Sequence, residues 1–465
     1  MYQEKVEAYI DSHIEEMIED VKTLVRIDSK KGMAMPGKPF GIGPAQAIEA
    51  AQKMMENYGF STRNYENYVV TGDFNDKEKQ LDILAHLDIV TVTPDWTVTQ
   101  PFDPIIVDGK LYGRGTADDK GPAIAALYAM RAIKECGIDL KKNVRLILGA
   151  DEECGSSDLE YYYSIEKEAP MSFTPDAEFP LINIEKGRLA KEFSIKFEKE
   201  ELSSEVVAFH GGDKANVVPA NAYALIRGLS KETVEEAASK ETDGVAYTVT
   251  EENGLIKVAA KGAAAHASTP EMGKNAVCAL LGLLSRLPLA AGKKQTAISA
   301  CAKLFPTADY HGAALGIDMA DEISGTLSMN LGIINLENEV LIGEFDSRIP
   351  LCGTDENVTE VIRKNMAEHG LILEDGKMIG AHHVPADSPL VKSLLDSFEK
   401  YSGIKGEPMA IGGGTYVHEL ERGVAFGCMM EGVDNHMHGD DEFMEIDVLV
   451  MSAKIFADAI LKLCM

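Results

Sequence analysis

The feature that most constrains this chain is an apolar run, a helical stretch and a second apolar run in direct succession. Residues 81–87 (LDILAHL) and 144–150 (VRLILGA) are short, apolar and rich in Leu and Ile, as buried strands are. Between them, residues 121–137 (GPAIAALYAMRAIKECG) carry apolar side chains at helical spacing, with Pro near the start and Gly at the end. Strand, helix and strand in that order predict an α/β unit built on a mainly parallel sheet. Residues 447–464 predict a further amphipathic helix, and residues 11–27 (DSHIEEMIEDVKTLVRI) another.

The middle of the chain has a different texture. Runs such as KEFSIKFEK, AYALIRGL, YTVTEENGLIKVAAKG and LIGEFDSRI alternate apolar and polar residues, and EENG is a plausible hairpin tip. Helical stretches such as KETVEEAASK and EMGKNAVCALLGLLSRL separate them. With 465 residues, too many for one comfortable core, two domains are expected. The expected division is a catalytic domain at residues 1–186 and 386–465, interrupted by an inserted α+β domain at 187–385.

Acidic residues outnumber basic ones by 75 to 45, a formal charge of −30. Such a surface repels phosphate backbones and anionic headgroups, so neither nucleic acid nor membrane is an expected partner. The N-terminal stretch lacks a basic region followed by an apolar one, and no run approaches the ~20 apolar residues of a membrane span. Seven cysteines, an odd number without a CxxC pair, fit reduced thiols and a cytoplasmic location. Cys154 is read as a small packing residue.

Four clusters carry chemistry. In AHLD, His86 and Asp88 lie two apart at the end of a predicted strand and share a face, so the carboxylate can orient the imidazole. HxD is a common tripeptide, however, and an ordinary strand end also accounts for it. In LYGRGTADDKGP the third glycine of a dinucleotide loop is replaced by Asp118, which excludes that reading. Two aspartates before a Gly-Pro helix start either cap the helix or offer a carboxylate able to bridge two cations. In GADEECGSSD, Glu152 and Glu153 directly follow a strand, where sites in open α/β sheets gather. They are either solvated loop residues or a metal ligand beside a general base. FTPDAEFP adds Asp176, and DNHMHGDDE adds His436 and His438, either of which could bind a metal. A set of His and carboxylate donors without a thiolate pattern suits zinc, manganese or cobalt.

Taken in order, HLD, GRGTADDKG, DEE, PDAEFP and H-x-x-D-E (His438 to Glu442) resemble the cocatalytic zinc metallopeptidases. That family includes carboxypeptidase G, aminoacylase and the PepV-type dipeptidases, and the similarity spans essentially the whole chain. The resemblance implies a zinc-peptidase-like catalytic domain interrupted by a lid domain. It implies two divalent ions, zinc by the family's habit with manganese or cobalt as alternatives, one held by His86 and Asp176 and the other by Glu153 and His438, with Asp118 between them. His438 is preferred to His436 because only it fits H-x-x-D-E. Asp88 would orient His86, Glu152 would be the general base, and the Asp118–Asp119 bond would often be cis. Two cations about 3.5–4 Å apart would share one water and clamp the substrate carbonyl.

Within the insertion, KANVVPAN, GAAAHAS and FDSRIP resemble the family's lid motifs. By that resemblance His266 and Asn216 stabilise the oxyanion, and Arg348 binds the substrate carboxylate. GGGTYVHE resembles the Gly-rich substrate loop, with His418 where Arg is usual. Its Gly413 and Gly414 either cradle a carboxylate through backbone N–H groups or simply permit a tight turn. An insertion near two hundred residues is similar to that of monomeric dipeptidases, so His266 is expected to act within its own chain. A small peptide substrate and a monomeric dipeptidase acting on unblocked dipeptides are therefore expected. An amidohydrolase of N-acyl amino acids is the enzymatic alternative. A non-catalytic metal or peptide binder is the other, although a binder has no need of Glu152.

Overall fold

The computed structural model describes residues 2–465 and divides into two compact units. One comprises residues through Ile184, His382–Met409 and Gly414–Met465; the other comprises Glu185–Ala381 and Ala410–Gly413. Each has its own apolar cluster.

In the first unit the two apolar runs are adjacent parallel strands, Lys79–His86 and Asn143–Gly149. Met171–Thr174 lies parallel on the other side of Lys79–His86, and Gly423–Ala425 lies parallel to Met171–Thr174. The antiparallel pair Ser61–Tyr65 and Val69–Asp73 closes one edge of the sheet. The central strands are covered on their faces, which is why they read as continuous apolar runs instead of alternating ones.

The connecting helix runs Lys120–Glu135 and is buried through Ile133. It packs against the C-terminal helix Ile446–Cys464, and both touch the strand Lys79–His86. Its mostly small, apolar side chains let it sit in the core with no exposed face.

The N-terminal helix predicted as continuous is instead two helices, Tyr2–Ser12 and Ile14–Val25. The break falls at His13, whose Nδ1 lies 2.7 Å from the Tyr9 carbonyl and whose ring stacks on Tyr9 at 3.9 Å. A side chain bonded to a carbonyl four residues back competes with the helix ladder.

The second unit holds an antiparallel sheet. Its order is Ala246–Glu252, Leu255–Lys261, Asn221–Arg227, Glu205–Gly211, Ser328–Glu337, Val340–Ile349, Gly187–Lys196 and Ile372–Leu373. The EENG tip is a two-residue turn in which Asn253 and Gly254 have φ of 53° and 74°, the primed geometry that matches strand twist. Helices Ala276–Arg286 and Lys293–Leu304 pack on one another and contribute to this unit's core.

Candidate metal centre

Three adjacent parallel strands deliver the candidate residues to one edge of the sheet. His86 is the last residue of its strand, Glu152 and Glu153 follow Gly149 in a short 3₁₀ turn, and Asp176 follows Thr174. This is the carboxyl edge, where side chains leave the pleated sheet and become free to converge.

There they converge on Asp118. Its Oδ1 lies 2.9 Å from His86 Nε2, and its Oδ2 lies 2.8 Å from His438 Nε2. Asp176 Oδ2 is 3.6 Å from His86 Nε2, and Glu153 Oε1 is 3.2 Å from His438 Nε2. Two groups result, His86–Asp118–Asp176 and Asp118–Glu153–His438, each with its ligand atoms within 4.8 Å of one another. His436 belongs to neither, and its Nδ1 faces the Asp440 carbonyl at 3.0 Å.

Helix capping does not account for the two aspartates before the helix. Asp119 occupies the capping position but makes no capping bond. Its Oδ2 accepts the backbone N–H of His86 at 3.0 Å, and the Asp118–Asp119 peptide is cis. Asp88 does more than face His86. Its carbonyl lies 3.1 Å and its Oδ1 3.4 Å from His86 Nδ1. Its carboxylate also accepts the N–H groups of Glu152 and Glu153, at 3.2 and 3.1 Å. Cys154 is exposed, contrary to its reading as a packing residue, because the turn that presents the two glutamates faces it outward.

The electrostatics are those of a site rich in acid. Burial pushes the Glu152 carboxyl well above its ordinary value, and Asp176, Asp118 and Glu153 add to this against the opposing pull of His86. Hydrogen bonds to Asp118 and then Glu153 raise His438 to about 10. Burial alone would lower His86, but bonds to Asp118, Asp176 and Asp88 hold it well above the usual range. The imidazole nitrogens and carboxylate oxygens that face one another here carry the lone pairs that a divalent cation takes when it displaces protons. With nitrogen and oxygen donors only, and one carboxylate offering an oxygen to each group, the residues fit a pair of such ions.

Another buried residue braces this arrangement. Tyr416 stands edge-on to His86, with ring centroids 6.1 Å apart at 89°, and its hydroxyl donates to Asp158. Asp158 in turn accepts the N–H groups of Ala150 and Asp151, at 2.6 and 2.9 Å, just ahead of the two glutamates. Both residues lie in motifs visible in the sequence, but their partnership spans 258 positions and leaves no local signal.

A profile of Peptidase family M20/M25/M40 matches residues 83–462. The chain belongs to that peptidase family. It is a peptide-bond hydrolase by that membership, and it carries residues able to hold metal ions. The M20 chain is 34% identical to Beta-Ala-Xaa dipeptidase of Lactobacillus delbrueckii subsp. lactis, covering 96% of each chain. It is 35% identical to YtjP of Bacillus subtilis (strain 168), covering 97% of each. Human carnosine dipeptidase 1 shares its fold, with a TM-score of 0.61 at 16% identity over 100% of this chain and 99% of that one. Among the described residues no helix is long and apolar enough to cross a membrane.

The inserted unit of this M20 chain organises its own motif residues. The N–H of Ala267 donates to the Asn216 carbonyl at 2.9 Å, which sets the segments of Asn216 and His266 side by side. His266 Nδ1 accepts the backbone N–H of Ser268 at 3.2 Å, so Nε2 bears the proton of the neutral ring. Asn330, which sequence reasoning missed, pins this region by donating to the carbonyls of Ala215 and Val217 at 2.9 and 3.0 Å. Arg348 is buried; Asp346 holds its Nε at 2.6 Å and its Nη2 at 3.2 Å, and its Nη1 donates to the Gly412 carbonyl. In the first unit, Gly414 precedes a turn, Tyr416–Glu419, on which the His418 ring lies 6.3 Å from that of His382. Gly413 belongs with the inserted unit.

Proposed function

We propose that this M20 peptidase is a two-metal dipeptidase hydrolysing the peptide bond of small unblocked dipeptides. The observation that carries this reading is Asp118, whose two oxygens face His86 and His438 separately. One carboxylate thereby serves both donor groups. Full-length similarity to Beta-Ala-Xaa dipeptidase supports the substrate class.

His86 and Asp176 would hold one ion and Glu153 and His438 the other, with Asp118 able to serve both. Zinc suits this donor set best, with manganese and cobalt as substitutes. The chemistry that two divalent ions would supply there is a lower pKa for the attacking water and polarisation of the scissile carbonyl. Glu152 takes the proton of the attacking water and returns it to the leaving amine nitrogen. Asp88 keeps His86 and the Glu152–Glu153 backbone in register. His266 donates from Nε2 to the oxyanion, assisted by Asn216. Arg348, oriented by Asp346, and the backbone of Gly413 and Gly414 read the substrate carboxylate, with His418 beside them in sequence. The first unit, expected as residues 1–186 and 386–465, forms the catalytic part, and the second, expected as 187–385, the lid. The seven cysteines are all free, which supports action in the cytoplasm, and the insertion's length supports a monomer.

The test is a panel of dipeptides, tripeptides and N-acetyl amino acids, assayed after chelation and again with zinc, manganese or cobalt. Chelation is expected to abolish turnover, and metal to restore it for dipeptides. Robust tripeptide or N-acetyl cleavage with dipeptides inert overturns the assignment.

A further inference from the structure

Two residues of the quoted motifs, Arg114 of GRGTADDKG and Glu442 of H-x-x-D-E, have no part in the chemistry above. Both are almost wholly buried, at 2% and 0% exposure. Glu442 Oε1 accepts the backbone N–H groups of Gly115, Ala117 and Asp118 at 3.1, 2.9 and 3.1 Å. Its Oε2 accepts Gly115 N–H at 3.0 Å and Arg114 Nη1 at 2.6 Å. The other arm of Arg114 donates from Nη2 to the Gly439 carbonyl at 2.6 Å, one residue after His438. The Glu442 carbonyl accepts Gly113 N–H at 3.0 Å.

The segment so gripped is one that needs holding. His436, His438 and Asp441 have φ of 58°, 62° and 57°, a region that costs side-chain-bearing residues energy and persists only where surroundings impose it. Asp441 supplies a second anchor in another direction, its carboxylate accepting the N–H groups of Thr97 and Val98 at 2.9 and 2.8 Å. Without such anchors the backbone would relax and carry His438 away from Asp118.

We propose that Glu442, acting with Arg114, is the positioning residue that holds Asp118 against His438 and so completes the Asp118–Glu153–His438 metal group. This rests on the two-metal reading. The Glu442 carboxylate fixes the backbone of Asp118 from one side, and Arg114 ties the same carboxylate to the backbone beside His438. The His86–Asp118–Asp176 group draws two of its members from other strands and depends on this grip less.

The test titrates the full-length, metal-stripped chain with cobalt(II) alone, following visible absorption and the cobalt bound per chain. Dipeptide kcat and KM are measured at each cobalt level, with thermal melts to establish folding. Wild type is expected to take up two equivalents. Glu442→Gln is expected to keep the first and to bind the second roughly 10–100-fold more weakly, the range for lost outer partners of a metal ligand. Its kcat should recover as cobalt is raised, with KM little changed. Arg114→Lys keeps a cation beside Glu442 but cannot also reach Gly439, and should show a smaller loss at the same equivalent. A folded Glu442→Gln chain that binds both equivalents as wild type does, or loses both equally, overturns the proposal. If Glu442→Gln fails to fold, Arg114→Lys decides, and unchanged affinity for the second equivalent overturns it. If wild type itself takes up fewer than two, the two-metal reading falls and this inference with it.

Discussion

Asp88 Oδ1 accepts the backbone N–H of Glu152 at 3.2 Å, so the residue expected to orient a histidine also fixes the residue expected to be the base. The other oxygen holds Glu153 at 3.1 Å, and Oδ1 lies 3.4 Å from His86 Nδ1. One buried carboxylate therefore ties together two strand ends. Asp88→Asn exchanges an acceptor for a donor aimed at these N–H groups. It is expected to lower activity or metal affinity by about 10–100-fold. Steady-state kinetics together with the metal content of the purified variant check this.

Glu152→Gln separates the base from the ligands. Glu152 belongs to neither metal-ligating group, so the variant should retain the metal content of wild type. Its turnover should fall by about 10²–10⁴-fold, the usual contribution of a positioned acid–base group. A variant that turns over near the wild-type rate with its metals in place assigns the base elsewhere.

The strand–helix–strand unit was legible because each piece has its own period and its own end signals. Residues 81–87, 121–137 and 144–150 return as Lys79–His86, Lys120–Glu135 and Asn143–Gly149, displaced by one or two positions. The hairpin tip was legible because Asn253–Gly254 accepts the positive φ that a two-residue turn demands. Less could be read where a residue acts through a distant partner. The acceptor role of Asp88, the Tyr416–Asp158 bond and the side-chain grip of Glu442 join positions separated by 64 to 328 residues. Their motifs flagged the residues, but no spacing along the chain encodes which backbone N–H a buried carboxylate will meet. The break at His13 was hidden for the opposite reason, since a local side-chain bond interrupts an otherwise unbroken apolar pattern.

Asp82, away from the metal centre, should make the chain's stability depend on pH. Burial pushes its carboxyl from an ordinary 3.8 to about 6, against the pull of Lys79, and its Oδ1 has no hydrogen-bond partner among the described residues. Between pH ~4 and ~6 the folded chain binds this proton more tightly than the unfolded chain does. Stability from this group is therefore present at low pH and declines as pH rises through that window. Asp82→Asn mimics the protonated form at every pH. It should be more stable than wild type at pH 7 by up to about 3 kcal/mol and indistinguishable below pH ~4. Urea unfolding at pH 4 and pH 7 measures the difference. Equal stability gain at both pH values would falsify the account.

The brace behind His86 leaves no room for a side chain at Gly149. Gly149 ends the strand that leads to Glu152 and Glu153, and a methyl group there would stand within 3.0 Å of Tyr416 Oη, Tyr416 Cζ and Asp158 Oδ2. These atoms cannot step aside singly, because the Tyr416 hydroxyl donates to Asp158 and that carboxylate also holds Ala150 and Asp151. Tyr416→Phe removes one donor from a buried carboxylate and should cost about 1–3 kcal/mol. Gly149→Ala should cost more and depress kcat, since relief must come from moving the Tyr416 ring against His86 or the loop that bears Glu152. In the double variant the nearest obstructing atom is gone. Its total cost should fall short of the sum of the single costs by about 0.5–3 kcal/mol, the coupling expected of groups in contact. A double-mutant cycle by urea unfolding reads this coupling. Strict additivity would mean that Gly149 is required for some reason other than the close approach of Tyr416.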